Sequence, residues 1–297
     1  MIKVSVPATS ANVGSGFDAV GLAVSLYNTV TFEEADTLQI SSSDGTVIPT
    51  GEDNLVYRSM RRLFDEVGKP VPAVKIVQTN PIPMARGLGS SSACIVGGLL
   101  GANRMLGEVM EKHELLRLAT SIEGHPDNVA PALYGGLTSC VYESGEVYSV
   151  KKNVDRSLVF AALIPSYELM TSAARAALPK TVTHKEAIYN LSRAAFLVPA
   201  FCDGRHDLLR VATQDSLHQS YRLKLMPGGE EMFAVAHQCG ARAVYVSGAG
   251  STIMAVVERH AADGFYTAMK VHLAEDPALK AFSLLRLEAD NVGATVE

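Results

Sequence analysis

The sequence predicts a fold that mixes α-helices with β-strands, and three observations indicate it. Short apolar runs typical of strands occur in both halves of the 297-residue chain. Longer segments with helical periodicity lie between them, and several of these end at a glycine. No internal repeat and no long flexible linker is visible, so we expect one large domain or two closely packed ones.

In the first half of the chain, the sequence pattern predicts both strands and helices. Asn54 is suited to cap the first helix, and Gly68, Gly107 and Gly124 are natural stops after the three helices. The predicted strands are 2–6, 26–33, 74–78 and 137–142, and the predicted helices are 54–67, 91–106 and 113–123.

The second half begins near residue 151, and the apolar run 158–165 predicts a buried strand. Strands and helices then alternate as in a split βαβ arrangement. The other predicted strands are 244–246, 253–257 and 282–288, and the predicted helices are 171–177, 185–200, 207–214, 229–239 and 261–273. We therefore predict a division into residues 1–150 and residues 151–297.

Composition excludes several classes of function. The net charge of −5 at pH 7 gives no basic footprint for nucleic acid or for an anionic membrane. The apolar runs are too short to span a bilayer, and the first six residues predict a strand and not a signal peptide. The four cysteines stand far apart in sequence, which argues against a zinc or redox site and favours a reducing cytoplasm.

The most informative segment is a glycine-rich turn at residues 81–93, Pro-Ile-Pro-Met-Ala-Arg-Gly-Leu-Gly-Ser-Ser-Ser-Ala. Gly87 and Gly89 allow close backbone approach to a ligand, and the helix that follows presents unpaired N–H groups to an anion. A strand-like run at 73–77 precedes the turn, so the order is strand, glycine turn, helix. This order predicts phosphate binding, with a serine-capped helix as the alternative reading. The segment is neither a Walker loop nor a Rossmann fingerprint.

Two further segments, together with the glycine turn, resemble the motifs of the GHMP kinases. Residues 6–22 read Val-Pro-Ala-Thr-Ser-Ala-Asn-Val-Gly-Ser-Gly-Phe-Asp-Ala-Val-Gly-Leu, and residues 244–256 form a strand, glycine turn and strand. Residues 123–136, which include Glu-Gly-His-Pro-Asp-Asn, narrow the resemblance to the homoserine kinases among them. The resemblance implies an α+β fold, in which an N-terminal mixed α/β half (1–150) carries the phosphate loop and packs on a ferredoxin-like C-terminal half (151–297).

The resemblance also implies an activity, which is ATP-dependent phosphorylation of the side-chain hydroxyl of L-homoserine in threonine biosynthesis. ATP and Mg²⁺ are the implied cofactors, and a homodimer is compatible with the sequence. Two other functions stay open: a GHMP kinase for another small alcohol such as mevalonate or a sugar, and a non-catalytic sensor that keeps the fold.

The nucleotide and metal roles follow from the matching positions. Glu123 ends a helix and can point into a cleft, although an idle helix-end carboxylate is the alternative. The resemblance assigns Mg²⁺ to Glu123 with Ser91, or with its neighbour Ser90, and Mg²⁺ prefers such hard oxygen ligands. The positions assigned to ATP are Asn54, Pro83, Met84, Ala85, Arg86, Gly87, Leu88, Gly89, Ser90, Ser91, Ser92 and Ala93. For Asn54 a plain helix cap remains the alternative.

A zwitterionic acceptor needs carboxylates for its ammonium group and arginines for its carboxylate. Without the resemblance, Arg175 and Arg222 would be interpreted as surface arginines, and Asp127 as a turn former in a loop that also contains Asn128. The resemblance assigns substrate binding to Asn12, Asp18, Asp127, Asn128, Arg175 and Arg222, and catalysis to Glu123, Ser91, Asp127 and Arg175. We interpret His125 as shaping the segment that carries Asp127 and not as a general base, although its ordinary pKa would suit a base.

Overall fold

The computed structural model describes all of residues 1–297 and contains two β-sheets. The first sheet has seven strands, and its central strand is the 15-residue β2, which pairs with β1, β4 and β5. Its strands are β1 (Ile2–Ala11), β2 (Val20–Glu34), β3 (Gln39–Ser42), β4 (Val74–Thr79), β5 (Leu137–Glu143), β6 (Glu146–Lys152) and β11 (Thr295–Val296). All pairs are antiparallel except β3 with β4.

Four helices cover the first sheet and bury the larger core. They are α1 (Leu55–Glu66), α2 (Ser90–Met105), α3 (Lys112–Glu123) and α4 (Pro126–Tyr134). α2 is buried along most of its length, because glycines let it approach its neighbours closely. A Cβ atom on Gly98 would lie 2.3 Å from the carbonyl oxygen of Val56, and one on Gly101 would lie 2.3 Å from the Phe32 ring. The glycines therefore fix how α2 enters the core from the phosphate loop.

The second sheet is antiparallel and has the strand order β10-β7-β9-β8. Its strands are β7 (Leu158–Pro165), β8 (Ala243–Val246), β9 (Ile253–Glu258) and β10 (Phe282–Leu287). The helices of this half are α5 (Thr171–Ala176), α6 (His184–Cys202), α7 (Leu209–Ala212), α8 (Gln219–Leu223), α9 (Gly229–Gln238) and α10 (Ala262–Glu275). Strand order 4-1-3-2 with α9 and α10 packed against the sheet is the ferredoxin-like arrangement. The predicted α+β fold with a ferredoxin-like second half is thus confirmed.

Most predicted elements are present, with ends that differ by a few residues. The largest differences in extent are in β1 and β2, which continue five and six residues beyond the predicted 2–6 and 26–33 into the motif segment at 6–22. The predicted helix 207–214 is wrong in extent, because only the four residues of α7, after a short 3-10 turn, are α-helical. Strands β3, β6 and β11 and helix α8 were not predicted.

One prediction about the site segment is wrong, because Asp127 and Asn128 lie in the first turn of α4 and not in a loop. This helix was not predicted because its sequence contains two prolines. Pro126 occupies its first position, where no N–H is needed, and Pro131 removes a backbone hydrogen bond from its middle. The carbonyl of Asp127, left without that donor, packs against Gly21, where a Cβ atom would lie 1.8 Å from the oxygen.

The predicted division at residue 150 stays a prediction. Residue 150 lies within β6 of the first sheet, and the final strand β11 returns from the second half to pair with β1. None of the helices combines the length and the apolar character needed to cross a membrane.

Candidate active site

A cavity of about 360 Å³ opens where the two halves meet. The phosphate loop and the start of α2 line one side, and the turn at 248–250 lines another. Fifteen of the nineteen predicted site residues line the cavity, and they are Asn12, Asn54, Glu123, Asn128, Arg175, Arg222 and the loop residues from Pro83 to Ser91. Asp18, Ser92, Ala93 and Asp127 do not line it.

The phosphate loop has the backbone geometry that its glycines predict. Gly87 has φ 75° and Gly89, which caps α2, has φ 70°, and both values belong to the left-handed region. A Cβ atom on Gly89 would lie 1.9 Å from Thr9 Oγ1, and one on Gly87 would lie 2.1 Å from the Ser247 carbonyl oxygen. The glycines are therefore required by the packing of the loop against the protein, and the free N–H groups at the start of α2 remain on the cavity side.

Contacts from the second half hold the phosphate loop in place. Ser247 Oγ donates a hydrogen bond of 2.6 Å to the Gly87 carbonyl, and the Thr252 amide donates to the Arg86 carbonyl at 3.1 Å. The Arg86 guanidinium donates from Nε to the Pro165 carbonyl at 3.1 Å and from Nη2 to the Ser166 carbonyl at 2.8 Å. Arg86, predicted to bind ATP, thus directs its guanidinium mainly to backbone carbonyls at the end of β7.

Asn54, also predicted to bind ATP, has its side chain occupied as a helix cap. Its Oδ1 accepts from the amides of Val56 and Tyr57 at 3.0 and 3.3 Å and from Gln78 Nε2 at 3.0 Å. Its Nδ2 donates to the Pro49 carbonyl at 2.8 Å. The side chain of Asn54 therefore acts as the helix cap that the alternative interpretation describes. The residue still lines the cavity.

Glu123 is held beside the start of α2. It ends α3, and Gly124, at φ 94°, turns the chain away after it. Its Oε1 accepts hydrogen bonds from Ser91 Oγ at 2.7 Å and from Ser92 Oγ at 2.8 Å. The carboxylate thus lies within the cavity next to the loop, and the serine adjacent to Ser91 that shares it is Ser92 and not Ser90.

His125, which is partly exposed and lines the cavity, forms a pair with the buried Asp127. His125 Nδ1 lies 2.5 Å from Asp127 Oδ1, and the Asp127 side chain is fully buried. Burial opposes a charge on His125, but the hydrogen bond and negative charge of Asp127, together with Glu123, raise the pKa of His125 above its ordinary value. Asp127 therefore reaches the cavity only through His125.

Asn12 and Asp18 shape the turn between β1 and β2. Asn12 Oδ1 accepts from the Asp18 amide at 2.8 Å, and Asn12 Nδ2 donates to the Gly248 carbonyl at 3.0 Å. Both residues have positive φ, 54° and 53°, a conformation that asparagine and aspartate tolerate better than most residues. Asn128 is tied to the same region, because its Oδ1 accepts from Thr9 Oγ1 at 2.8 Å.

The two arginines differ in environment. Arg175, on α5, is part exposed and forms an ion pair with Asp18. Arg222, on α8, is only 1% exposed, and its Nη1 donates to the Gly248 carbonyl at 2.8 Å. Burial lowers the pKa of Arg222 to about 10, so the guanidinium stays cationic at neutral pH. The alternative reading of Arg222 as a surface arginine is wrong, because the turns from 12–18 and 247–251 cover it.

Three residues of the site were not singled out from the sequence. Phe17 lies beneath both guanidinium groups, with its ring centre 5.9 Å from Arg175 Cζ and 5.2 Å from Arg222 Cζ. The His218 ring stacks on the Phe17 ring, and the two ring centres are 5.1 Å apart. Ser247 braces the loop as described. Only the position of Phe17 and Ser247 within the motif segments signalled a role, and nothing in the sequence distinguished His218.

Comparison with known proteins identifies the family. Residues 54–136 match the N-terminal domain of GHMP kinases, and residues 197–274 match the C-terminal domain of GHMP kinases. The sequence is 44% identical to a homoserine kinase from Clostridium beijerinckii over 298 residues, which cover 100% of this chain and 98% of that protein. The chain belongs to the homoserine kinase family. A homoserine kinase from Desulfitobacterium hafniense is also 44% identical, over 100% of both chains.

Solved structures agree with this membership of the homoserine kinase family. A crystal structure of homoserine kinase from Cytophaga hutchinsonii superposes with a TM-score of 0.88 at 30% identity and covers 100% of this chain and 97% of that one. The mevalonate kinase of Methanococcus jannaschii shares the fold, with a TM-score of 0.72 at 12% identity.

Proposed function

We propose that this protein transfers the γ-phosphoryl group of ATP to the side-chain hydroxyl of L-homoserine, yielding O-phospho-L-homoserine for threonine biosynthesis. The observation that carries the proposal is one cavity that joins a phosphate loop and Glu123 to Arg175 and Arg222. The full-length similarity to homoserine kinases supports the same acceptor. A cytoplasmic location and a homodimer remain predictions.

The phosphate loop would bind the triphosphate through backbone N–H groups. The N-terminal turn of α2 presents these groups together with the positive end of the helix dipole. Because Gly87 and Gly89 are packed against Ser247 and Thr9, the loop is already in a rigid shape before the nucleotide arrives. Such preorganised donors stabilise developing phosphate charge without rearrangement in the transition state.

Glu123 and Ser91 are the residues that would hold Mg²⁺, with Ser92 beside them. Their carboxylate and hydroxyl oxygens are the hard donors that this ion prefers. No preformed cluster of three His, Cys, Asp or Glu side chains is present, so further ligands would come from ATP oxygens and water. Bound to the phosphates, the ion would neutralise charge on the transferring group.

Arg175 and Arg222 would bind the carboxylate of homoserine, and Asp18 with Asn12 would face its ammonium group. The guanidinium forks match a carboxylate in geometry and charge. Both arginines lie over the Phe17 ring, which gives each a cation–π contact, and the burial of Arg222 strengthens a charged contact there. Fixing both ends of the zwitterion leaves the hydroxyl as the group that can turn toward the phosphate loop.

No side chain is assigned as a general base. His125 lines the cavity, but its Nδ1 is engaged with the Asp127 carboxylate, whose hydrogen bond and charge raise the pKa of the imidazole against the opposing effect of burial, and we do not assign it that role. Asp127 is fully buried against it, and we propose that its catalytic contribution is to orient His125. Catalysis would thus rest on alignment and charge stabilisation.

A coupled assay of ADP release against homoserine, mevalonate and galactose, with and without Mg²⁺, tests the proposal. We expect Mg²⁺-dependent turnover with homoserine at least a hundredfold above the other two alcohols, since neither offers the ammonium group. Preference for mevalonate or galactose would reassign the substrate. Nucleotide binding without turnover of any of the three would instead indicate a sensor.

A further inference from the structure

His218 is a fully buried histidine that lies directly beneath Arg222. It immediately precedes α8, and its imidazole ring lies nearly parallel to the Phe17 ring, at an angle of 20°. Its Nδ1 lies 3.1 Å from Arg222 Nη1, and its Nε2 lies 2.8 Å from the Gly14 carbonyl oxygen. Both ring nitrogens therefore have partners, one in the candidate substrate site and one in the turn that follows β1.

The partners determine which nitrogen carries the proton. A guanidinium group can only donate hydrogen bonds, so Nδ1 must accept from Arg222 Nη1. A carbonyl oxygen can only accept, so Nε2 must donate to Gly14. The imidazole is therefore neutral and protonated at Nε2. A second proton on Nδ1 would remove the acceptor for Arg222 and would place two cations in contact.

Burial favours the neutral form of His218. Burial, with the nearby charge of Arg222, lowers the pKa of His218 against the opposing influence of Asp215 and Asp18. The Asp215 carboxylate is occupied by the backbone amides of Leu217, His218 and Gln219 at 2.7–2.9 Å, so it serves mainly as a cap of α8.

We propose that His218 is the positioning residue for Arg222 in substrate recognition. Nδ1 of His218 and the Gly248 carbonyl together hold Nη1 of Arg222, and the guanidinium keeps its other donors for a carboxylate. In agreement, Arg222 Nε is buried without a hydrogen-bond partner, an arrangement that a carboxylate ligand would relieve. The inference rests on the proposed function in so far as the carboxylate is that of homoserine.

Two substitutions separate the two hydrogen bonds of the ring. In His218→Asn, the amide oxygen takes the position of Nδ1 and still accepts from Arg222, while the donor to Gly14 is lost. In His218→Gln, the amide nitrogen takes the position of Nε2 and can donate to Gly14, while the acceptor for Arg222 is lost. Each variant loses one hydrogen bond and the stacking on Phe17, so their thermal stabilities should be similar.

We expect the homoserine KM to rise roughly tenfold in His218→Gln and to stay within about threefold of the parent in His218→Asn, as one lost charged hydrogen bond would give. The KM for ATP should be unchanged in both. Equal homoserine KM values in the two variants, or KM values that simply follow the loss of Tm, would overturn the positioning role.

A second measurement uses the unmodified protein and no activity. With ¹⁵N-labelled histidine, NMR should show His218 as the neutral Nε2–H tautomer at pH 7, with Nδ1 unprotonated. An imidazolium or an Nδ1–H tautomer would contradict the inference even if homoserine is the substrate. Failure of the parent to phosphorylate homoserine, with the Nε2–H tautomer present, would instead remove the proposed substrate and leave the His218–Arg222 contact intact.

Discussion

The Arg175 guanidinium and the Asp18 carboxylate form a two-point ion pair, with Nη1–Oδ2 at 3.0 Å and Nη2–Oδ1 at 2.8 Å. The pair joins α5 to the turn between β1 and β2 at the edge of the cavity. These residues are proposed to bind opposite ends of homoserine, so a bound zwitterion would exchange one internal ion pair for two pairs with substrate. Because both side chains are about 40% exposed, 41% and 36%, opening the pair costs only about 0–1 kcal/mol.

Replacing Arg175 or Arg222 by leucine should weaken homoserine binding selectively. Losing one charge-assisted pair costs about 1.5–3 kcal/mol, which corresponds to a homoserine KM roughly tenfold to a hundredfold higher. The KM for ATP should change little, because neither residue belongs to the phosphate loop. Arg205→Leu is a control, since Arg205 pairs with Asp207 on the surface. Homoserine and ATP affected equally in the variants would argue against the assignment.

The same two variants should differ in stability. Arg222→Leu leaves the Gly248 carbonyl and His218 Nδ1 without their donor, and buried groups unpaired in this way cost about 1–3 kcal/mol. Arg175→Leu removes only a part-exposed pair. Urea unfolding should therefore show a clear loss for Arg222→Leu and a change within about 1 kcal/mol for Arg175→Leu. Equal losses would contradict the burial of Arg222.

Glu123→Gln should lower kcat roughly a hundredfold or more while the protein stays folded. Glutamine still accepts from Ser91 and Ser92, so only the charge that would hold Mg²⁺ is removed. The kcat should be measured over a range of Mg²⁺ concentrations, with Glu108→Gln as the control, since Glu108 pairs with Arg104 on the surface. Parent-like activity of Glu123→Gln at ordinary Mg²⁺ would exclude the metal role.

Gly89→Ala should abolish tight ATP binding, because its Cβ atom would lie 1.9 Å from Thr9 Oγ1 and displace the loop from β1. Gly107→Ala is a matched control, since Gly107 also has positive φ but no neighbouring atom within 4 Å. It should lose about 1–2 kcal/mol of stability through the backbone alone and bind ATP normally. Calorimetric titration with ATP would distinguish them, and equal ATP affinity would show that the contact with Thr9 is unimportant.

The raised pKa of His125 predicts a pH-dependent stability. The contribution of its imidazolium is fully present below the unfolded pKa of about 6.5 and is lost as the pH rises through the higher folded value. The Tm of the parent should therefore exceed that of His125→Asn most near pH 6, and the gap should narrow toward pH 9. The Asp127→Asn variant should lose this pH dependence of the Tm, whereas the His113→Asn variant should keep it. A gap that widens with pH would contradict the sign.

The sequence predicted those parts of the site that are formed by residues adjacent in the chain. Gly87 and Gly89 could be found because a glycine turn before a helix is a local signal, whereas the role of Glu123 came from the resemblance to the GHMP kinases. Asp127 was assigned to a loop, because prolines ordinarily argue against a helix, whereas Pro126 occupies the first position of α4, where no N–H is needed, and the helix continues through Pro131.

The burial of Arg222 could not be predicted in this way. Its partners come from the turn after β8, from His218 four residues earlier and from Phe17, which is far away in sequence. No single segment contains this information, since it depends on how the two sheets meet. The same holds for β11, whose two residues acquire strand geometry only by pairing with β1.

The hydrogen bond from Ser247 to Gly87 has a thermodynamic consequence for the whole chain. The loop proposed to bind ATP keeps its shape only while the second sheet is folded against it. A nucleotide bound to that loop would therefore oppose unfolding of strands that it does not touch, by RT ln(1 + [L]/Kd) for free ligand. The two halves would then unfold as a single cooperative unit when ATP is bound.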